Sequence, residues 1–170
     1  MIIGQFCDVY PPELDCVGAV TKSYAEELTL LGDRCYYVAP HAAQERKYDF
    51  QALLYHSVRV PGEAYRTGMP ALDPGYRKKV SDIDFDIVHA HSPFASGREA
   101  LHLARRRKIP IVATFHSKYY DDFYEKTHSR HLATAGTNAI VDFYRQCDEV
   151  WTVSKKTADV LRGYGFNRDI

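Results

Sequence analysis

Short β-rich runs alternate with helical patterns along this 170-residue chain, and the alternation constrains the fold more than any other feature. Parallel strands need a crossover segment between them, usually a helix, so the pattern predicts an α/β fold with a mostly parallel sheet. Ser96 and Glu99 have the spacing of a capping box at the start of one helix. The predicted strands are residues 2–7, 34–38, 56–60, 86–91, 111–115 and 149–153, and the predicted helices are 17–31, 74–81, 96–107, 131–146 and one capped by Ser154 that runs to about residue 164.

The carboxyl ends of the predicted strands are where the sequence indicates a binding site. In an open parallel sheet, ligands bind beyond these ends, where the loops lead into helices. Three of the four strand-end segments are rich in His, Ser, Asp or Tyr. The segments are residues 8–18, 91–96, 116–124 and position 154.

Charge and hydropathy exclude several classes of protein. The 22 basic residues balance the 22 acidic ones, whereas a dedicated nucleic-acid binder usually carries a basic excess, so we expect no nucleic-acid partner. No apolar stretch approaches the ~20 residues that cross a bilayer, and the N-terminus does not resemble a signal peptide. The four cysteines form no CxxC pair, which fits free thiols in a reducing cytoplasm.

Three histidines lie in or directly after the predicted central strands. His116 follows the strand 111–115. Its position alone is equally consistent with a ligand contact in the crevice and with a structural role in the loop. His89 and His91 point to the same face of the strand 86–91, and such a pair can hold a metal ion in metal-dependent hydrolases. No further ligand motif accompanies them, so the sequence favours a packed His89 and a His91 that reaches the crevice.

The loop before the first helix is a candidate phosphate site, because a helix N-terminus offers free N–H groups. It ends in Asp15, Cys16, Val17 and Gly18. Glycine allows the closest approach of the backbone to a phosphate, and Gly18 is the only glycine in residues 10–18. Without a GxGxxG pattern, the motif by itself is weak.

The segment 119–124 is acidic and aromatic and lies next to His116. Aromatic faces and carboxylates suit the C–H faces and hydroxyl groups of sugars. Ordinary packing, with acidic residues at the start of a helix, explains the same pattern. The sequence gives these two interpretations of Tyr119, Tyr120 and Asp121 equal weight.

A run of four basic residues ends the predicted helix 96–107: Arg105, Arg106, Arg107 and Lys108. Positive charge is favourable at a helix C-terminus, and a solvated helix face explains the run without any partner. A second basic run, residues 77–79, would join it in a patch for anionic membrane lipid. With zero net charge, the solvated face is the leading interpretation.

Several strand-end motifs occur together in this chain: residues 4–8 (GQFCD) with Pro11 and Pro12, 87–94 (IVHAHSPF), 109–117 (IPIVATFHS), 150–154 (VWTVS) and 157–161 (TADVL). In this order and spacing they resemble the N-terminal half of the retaining glycosyltransferases of family 4. The resemblance covers nearly the whole chain, and the combination is more specific than any single motif.

The resemblance implies a GT-B architecture, in which two Rossmann-like domains face each other across a cleft. Residues 1–170 would form the N-terminal, acceptor-side domain, a Rossmann-like three-layer αβα sandwich, and a C-terminal donor-binding domain would follow. The implied activity is that of a hexosyltransferase that uses a nucleotide-diphosphate sugar, retains the anomeric configuration and needs no metal or other cofactor. The isolated domain is expected to be inactive or nearly so, because half of the cleft is missing.

The resemblance also assigns site residues. His116 matches the family's cleft histidine, which contacts the transferring sugar and is implicated in catalysis. The run Asp15-Cys16-Val17 resembles an Asp-Gly-Val loop beside the donor diphosphate, with the glycine replaced by a residue that resists positive φ, and Gly18 follows it. The acceptor and cleft residues would be His91, Ser92, Ser117, Tyr119, Tyr120, Asp121 and Ser154.

Two other functions stay open on the sequence. A stand-alone α/β binding module would bind a partner through the strand-end edge without chemistry, and a metal-dependent hydrolase would use His89 and His91. For the transferase, the expected partners are the nucleotide-sugar, an acceptor such as a membrane lipid, the chain's own C-terminal domain and an anionic membrane surface. The expected location is cytoplasmic, or peripheral at the inner face of the membrane.

Overall fold

The computed structural model describes residues 1–12, 15–42, 48–59, 66–116 and 118–170. It contains eight strands, six helices and a short 3-10 turn within these ranges. The strands are β1 (Ile2–Phe6), β2 (Arg34–Pro40), β3 (Gln51–Tyr55), β4 (Ser57–Arg59), β5 (Arg66–Gly68), β6 (Ile87–Ala90), β7 (Ile111–Phe115) and β8 (Glu149–Thr152). The helices are α1 (Cys16–Leu30), α2 (Pro74–Ser81), α3 (Ala95–Arg107), α4 (Tyr119–Thr127), α5 (Arg130–Arg145) and α6 (Lys155–Gly163), and the 3-10 turn is Pro70–Leu72.

Six of the strands form one parallel sheet in the order β3-β2-β1-β6-β7-β8. The larger core lies on the face that contains Phe6, Val88 and Ala113, and buried residues of α2, α3, α4, α5 and α6 belong to it. The opposite face contains Ile3 and Tyr37, and α1 packs against it. The predicted Rossmann-like αβα sandwich with a parallel sheet is therefore confirmed.

Two predicted helix ends also match the structure. Gly32 follows α1 with φ +93°, a backbone conformation that glycine adopts without steric cost. The Ser154 hydroxyl accepts a hydrogen bond from the Thr157 backbone N–H at 3.2 Å, so Ser154 caps α6 as its spacing predicted.

The predicted strand 56–60 is wrong as a strand of the main sheet. Residues 57–59 form β4, which pairs with β5 in a separate antiparallel sheet, and residue 60 lies outside the described residues. The third strand on that side of the main sheet is β3, where Leu53 and Tyr55 are buried. His56 lies between β3 and β4, and the Asp73 carboxylate accepts its backbone N–H at 2.9 Å.

The predicted capping box at Ser96 is also wrong. The helix α3 begins one residue earlier, after Phe94, which makes no side-chain cap, and the distant Asp8 carboxylate accepts the Ser96 N–H instead. Ser96 is fully buried, and its hydroxyl donates to the Cys7 carbonyl at 2.6 Å. A tertiary contact therefore replaces the local cap that the sequence suggested.

Candidate functional site

The carboxyl ends of three adjacent strands meet at one edge of the sheet and form the strand-end site. We define this site as Asp8 after β1, His91 and Ser92 after β6, and His116 after β7, with Asp15 at the start of α1 nearby. Because β1, β6 and β7 are neighbours, residues far apart in the sequence lie within bonding distance. The site is therefore a product of the strand order.

A chain of hydrogen bonds runs from the interior of the sheet to His116. Nε2 of His116 lies 3.3 Å from Nδ1 of His91, and Nε2 of His91 lies 2.7 Å from Oε1 of Gln5. His91 is 0% exposed, whereas His116 is half-buried. The predicted cleft contact of His91 is thus indirect, because His91 lies behind His116.

Burial keeps these imidazoles neutral at physiological pH. Loss of hydration lowers the pKa of His91 well below its ordinary value, and the neighbouring His89 and His116 lower it further. Burial also lowers the pKa of His116, and the negative charge of Asp15 partly opposes this effect. The two neutral rings can therefore share one N–H···N hydrogen bond without charge repulsion.

His89 is a packed residue, as the sequence favoured. Its Nε2 lies 2.8 Å from the Thr114 hydroxyl oxygen, and the rings of Tyr24 and Trp151 contact it with centroids at 5.4 and 5.2 Å. Burial lowers its pKa to about 3. Across the described ranges, no group of three or more His, Cys, Asp or Glu residues is arranged to hold a metal ion.

Asp8 joins the end of β1 to the start of α3. Its carboxylate accepts hydrogen bonds from the Ser92 hydroxyl, the Ser96 backbone N–H at 2.9 Å and the Ser96 hydroxyl at 3.0 Å. Burial raises the pKa of Asp8, and these three donors oppose the rise. Ser92 therefore serves in this structure as a donor to Asp8.

The candidate phosphate loop forms the first turn of α1. The Asp15 carboxylate accepts the Gly18 N–H at 2.7 Å and caps the helix. Cys16 is exposed and has helical rather than positive φ, so the expected backbone cost of replacing glycine there does not arise. Val17 is partly buried against the smaller core.

The acidic aromatic segment is the helix α4 rather than a loop. Tyr119 is 7% exposed and packs edge-on against Phe115 and Phe94, so its ring belongs to the interior. Tyr120 is half-buried and its backbone N–H donates to the Tyr164 hydroxyl at 3.2 Å, while Asp121 is exposed in the first helical turn.

The remaining predicted cleft residues are two serines. Ser154 is exposed at the carboxyl end of β8, where it caps α6. Its hydrogen bonds in the described ranges are local, to Thr152 and Thr157, rather than to the strand-end site. Ser117 lies outside the described residues.

The basic run 105–108 lies at the opposite edge of the sheet, where the strands begin. Arg107 donates hydrogen bonds to the carbonyl oxygens of Val80, Ser81 and Ile83, which follow or end α2. Arg105 donates to Gln146 at 2.5 Å. The sequence interpretation of a purely solvated face therefore holds for Arg106 and Lys108 but not for Arg107.

Sequence reasoning missed Gln5 and Thr114 as partners of the histidines. Both are polar residues in otherwise apolar strands, and both are buried on the face that contains His89 and His91. A polar residue at a buried strand position must find a hydrogen-bond partner, which is the signal that could have identified them.

None of the helices in the described ranges is long and apolar enough to cross a membrane.

Comparison with known proteins identifies similar sequences. Residues 17–170 match the sequence model of Glycosyltransferase Family 4. The chain is 28% identical to a "GDP-mannose-dependent alpha-mannosyltransferase" of Corynebacterium glutamicum over 98% of its own length and 41% of the relative's. It is 26% and 28% identical to "Alpha-monoglucosyldiacylglycerol synthase" of Acholeplasma laidlawii and of Streptococcus pneumoniae, over 71% of its length in each case. These matches cover 31% and 28% of the two synthases, so the chain spans less than half the length of these relatives.

Proposed function

The chain belongs to glycosyltransferase family 4, and on this premise we propose that it is the acceptor-side domain of a retaining hexosyltransferase. The complete enzyme would transfer a sugar from a nucleotide-diphosphate sugar to an acceptor. The observation that carries the proposal is the strand-end site, where neutral, buried His91 supports half-buried His116 at the carboxyl end of a central strand. The alternative of a stand-alone binding module gains no support from the relatives, which are named as a transferase and synthases.

In this proposal His116 contacts the transferring sugar. A neutral imidazole at a strand end can accept a hydrogen bond from a hydroxyl group or donate one to it, without the desolvation cost of a charge. The first turn of α1 lies close enough for Asp15 to influence the pKa of His116, and its N–H groups and dipole favour a nearby diphosphate. The proposal includes no resident metal ion.

The names of the relatives supply candidates for both substrates. One relative depends on GDP-mannose, and two are synthases of a monoglucosyl lipid. We therefore propose a nucleotide-diphosphate hexose as the donor and include membrane lipids among the candidate acceptors. The second half of the cleft would be a donor-binding domain of the same protein, which fits the greater length of the relatives.

An assay of the complete protein tests the proposal. The protein is incubated with a panel of nucleotide-diphosphate hexoses that includes GDP-mannose, with diacylglycerol and glucosyldiacylglycerol as acceptors, and the anomeric configuration of any product is determined by NMR. His116→Ala is expected to abolish most transfer, and His102→Ala, which changes an exposed histidine of α3, is the matched control. Equal activity of the two variants, or inversion of configuration, would contradict the proposed function.

The proposal extends to a peripheral position at the inner face of a membrane. The bonds of Arg107 to the end of α2 bring the basic run 105–108 next to the basic last turn of that helix, with Lys78 and Lys79. The combined surface carries the exposed basic side chains of Lys78, Lys79, Arg105, Arg106 and Lys108 at the amino edge of the sheet, with exposed Asp82 and Asp84 in the connection beside them. Each basic residue near an anionic membrane contributes about 1 kcal/mol of attraction at physiological salt.

Vesicle binding tests this extension. Arg105, Arg106 and Lys108 are replaced by glutamine while Arg107 is retained for its structural bonds, and binding to vesicles with anionic phospholipid is measured. Three charges at about 1 kcal/mol each predict a loss of roughly 100-fold. The control replaces Lys155, Lys156 and Arg162 of α6, which removes the same charge from exposed positions elsewhere. An equal loss in both triple variants would show that net charge, rather than this surface, decides binding.

A further inference from the structure

The Gln5–His91–His116 chain has a direction that follows from its chemistry. A neutral imidazole has one N–H donor and one bare nitrogen acceptor. The Gln5 atom that faces His91 is the carbonyl oxygen Oε1, which can only accept, so Nε2 of His91 must carry the proton. The other nitrogen of His91, Nδ1, is then an acceptor.

The same reasoning extends to His116. Nδ1 of His91 lies 3.3 Å from Nε2 of His116, so a hydrogen bond between them requires the proton on Nε2 of His116. When His116 is neutral, its Nδ1 is the bare nitrogen. Within the described ranges the hydrogen bond of the His116 ring is made through Nε2, and none reaches Nδ1.

Packing prevents the His91 ring from reversing the arrangement. His91 is 0% exposed, its ring lies 4.0 Å from the ring of His89, and the ring of Tyr24 lies at 5.5 Å. A ring flip would place a carbon atom opposite Gln5 and leave the buried amide oxygen without its donor, at a substantial cost in free energy. Sequence separation hides this relation, since Gln5 and His91 are 86 residues apart.

We propose that Gln5 and His91 are positioning residues that hold the proton of His116 on Nε2 and so present Nδ1 as the acceptor for a hydroxyl group of the sugar. The identity of the hydroxyl donor rests on the proposed function, whereas the proton positions are a property of the chain itself. The consequence is a selectivity rule: the ligand group opposite His116 must be able to donate a hydrogen bond.

NMR of the 170-residue chain tests the proton positions without any activity measurement. With ¹⁵N-labelled histidine, long-range correlation spectra at pH 8 distinguish protonated from bare ring nitrogens. The expected result is a proton on Nε2 of both His91 and His116, with an N–H···N coupling between the two rings. A proton on Nδ1 of His116 would overturn the proposal, and this measurement needs no variant that must fold.

Variants then test the role of Gln5. Gln5→Met has similar length but no acceptor, and it is expected to lower the ratio of the Nε2–H to the Nδ1–H form of His91 about five-fold, with a smaller change in the same direction at His116. Gln5→Glu keeps an oxygen acceptor and is expected to restore the original spectrum of His116. Failure of Gln5→Glu to do so would count against an oxygen-specific role.

Thr114→Val is the matched control for packing. It removes the hydroxyl partner of His89 at a buried position on the same sheet face, but it leaves both bonds of His91 in place. We expect the His116 spectrum to be unchanged. If Thr114→Val altered the His116 proton positions as much as Gln5→Met, a general packing effect would explain the result and the proposal would be wrong. If the complete wild-type protein transferred no sugar while the proton positions were as expected, only the proposed function would be refuted.

Discussion

The two edges of the parallel sheet use their polar side chains differently. At the amino edge, charged side chains mainly satisfy backbone groups: Asp86 and Asp148 accept the N–H groups that begin β1 and β7, at 2.6 and 2.8 Å. Arg107 and Arg168 donate to carbonyl groups near the ends of α2 and α5. These contacts close the ends of elements that would otherwise rely on water.

At the carboxyl edge, side chains mainly bond to other side chains. His116 meets His91, His91 meets Gln5, and the Ser92 hydroxyl donates to Asp8. Such networks contribute little to closing the backbone and require the burial of titratable groups, which costs free energy. The difference indicates that the amino edge serves stability, whereas the carboxyl edge accepts a stability cost for the sake of a site.

The largest effect is expected at the carboxyl edge. His116→Ala in the complete enzyme should lower kcat about 10³-fold, because a positioned imidazole contributes on the order of 10²–10⁴ in rate. Its free energy of unfolding should change by less than about 1 kcal/mol, since the side chain is half-buried. Steady-state kinetics and urea unfolding check both values. A large loss of stability with a normal kcat would mean that the carboxyl edge serves stability rather than the reaction.

Asp8 sharpens the comparison because, like the helix caps Asp15 and Ser154, it supports the backbone at the carboxyl edge. Asp8→Ala should lower the free energy of unfolding by about 2–3 kcal/mol, since it leaves the Ser92 hydroxyl and the Ser96 N–H without their acceptor. Asp8→Asn keeps an oxygen toward Ser96 and should cost much less. The folded-state pKa of Asp8 is raised, so its charged form opposes folding. The free energy of unfolding of Asp8→Asn, relative to that of the wild type, should therefore be higher at pH 8 than at pH 4. Urea unfolding at both pH values measures these differences, and an equal difference between Asp8→Asn and the wild type at both pH values would argue against a buried charge.

The buried histidines predict an acid-sensitive fold. The folded-state pKa of His89 is lowered to about 3, so between about pH 6.5 and 3 the unfolded chain binds a proton there that the folded chain does not. Stability therefore falls as pH falls, by up to about 1.4 kcal/mol per pH unit for this group. His89→Gln should remove that share of the slope. The check is urea unfolding at several pH values between 7 and 5, and parallel curves for the two proteins would contradict the prediction.

The smallest effect is expected at the amino edge. Arg107→Met should lower the free energy of unfolding by about 1 kcal/mol, because water can replace the arginine at carbonyl groups near the surface. Transfer activity of the complete enzyme should stay unchanged, since Arg107 lies at the other end of the strands from His116. A drop in kcat without a drop in stability would mean that the amino edge also takes part in the reaction.

Local pattern was enough to predict most elements of the fold. Strands such as β7 are apolar apart from a single residue, Thr114, and the caps at Gly32 and Ser154 depend on neighbouring residues only. The errors occur where distant residues decide the outcome. Ser96 has a capping-box sequence, but the Cys7 carbonyl and the Asp8 carboxylate, 88 or more residues away, take its hydrogen bonds.

The sequence by itself determined the parallel α/β architecture, the family and the position of His116 at a strand end, because periodicity and strand-end motifs are local properties. Only the tertiary structure decided which of the candidates meet. The strand order places β1 beside β6 and β6 beside β7, so Gln5, His91 and His116 form one chain, whereas Tyr119 turns into the interior. Hydrogen bonds reach only about 3 Å, and the neighbours within that distance are set by the order of strands in space.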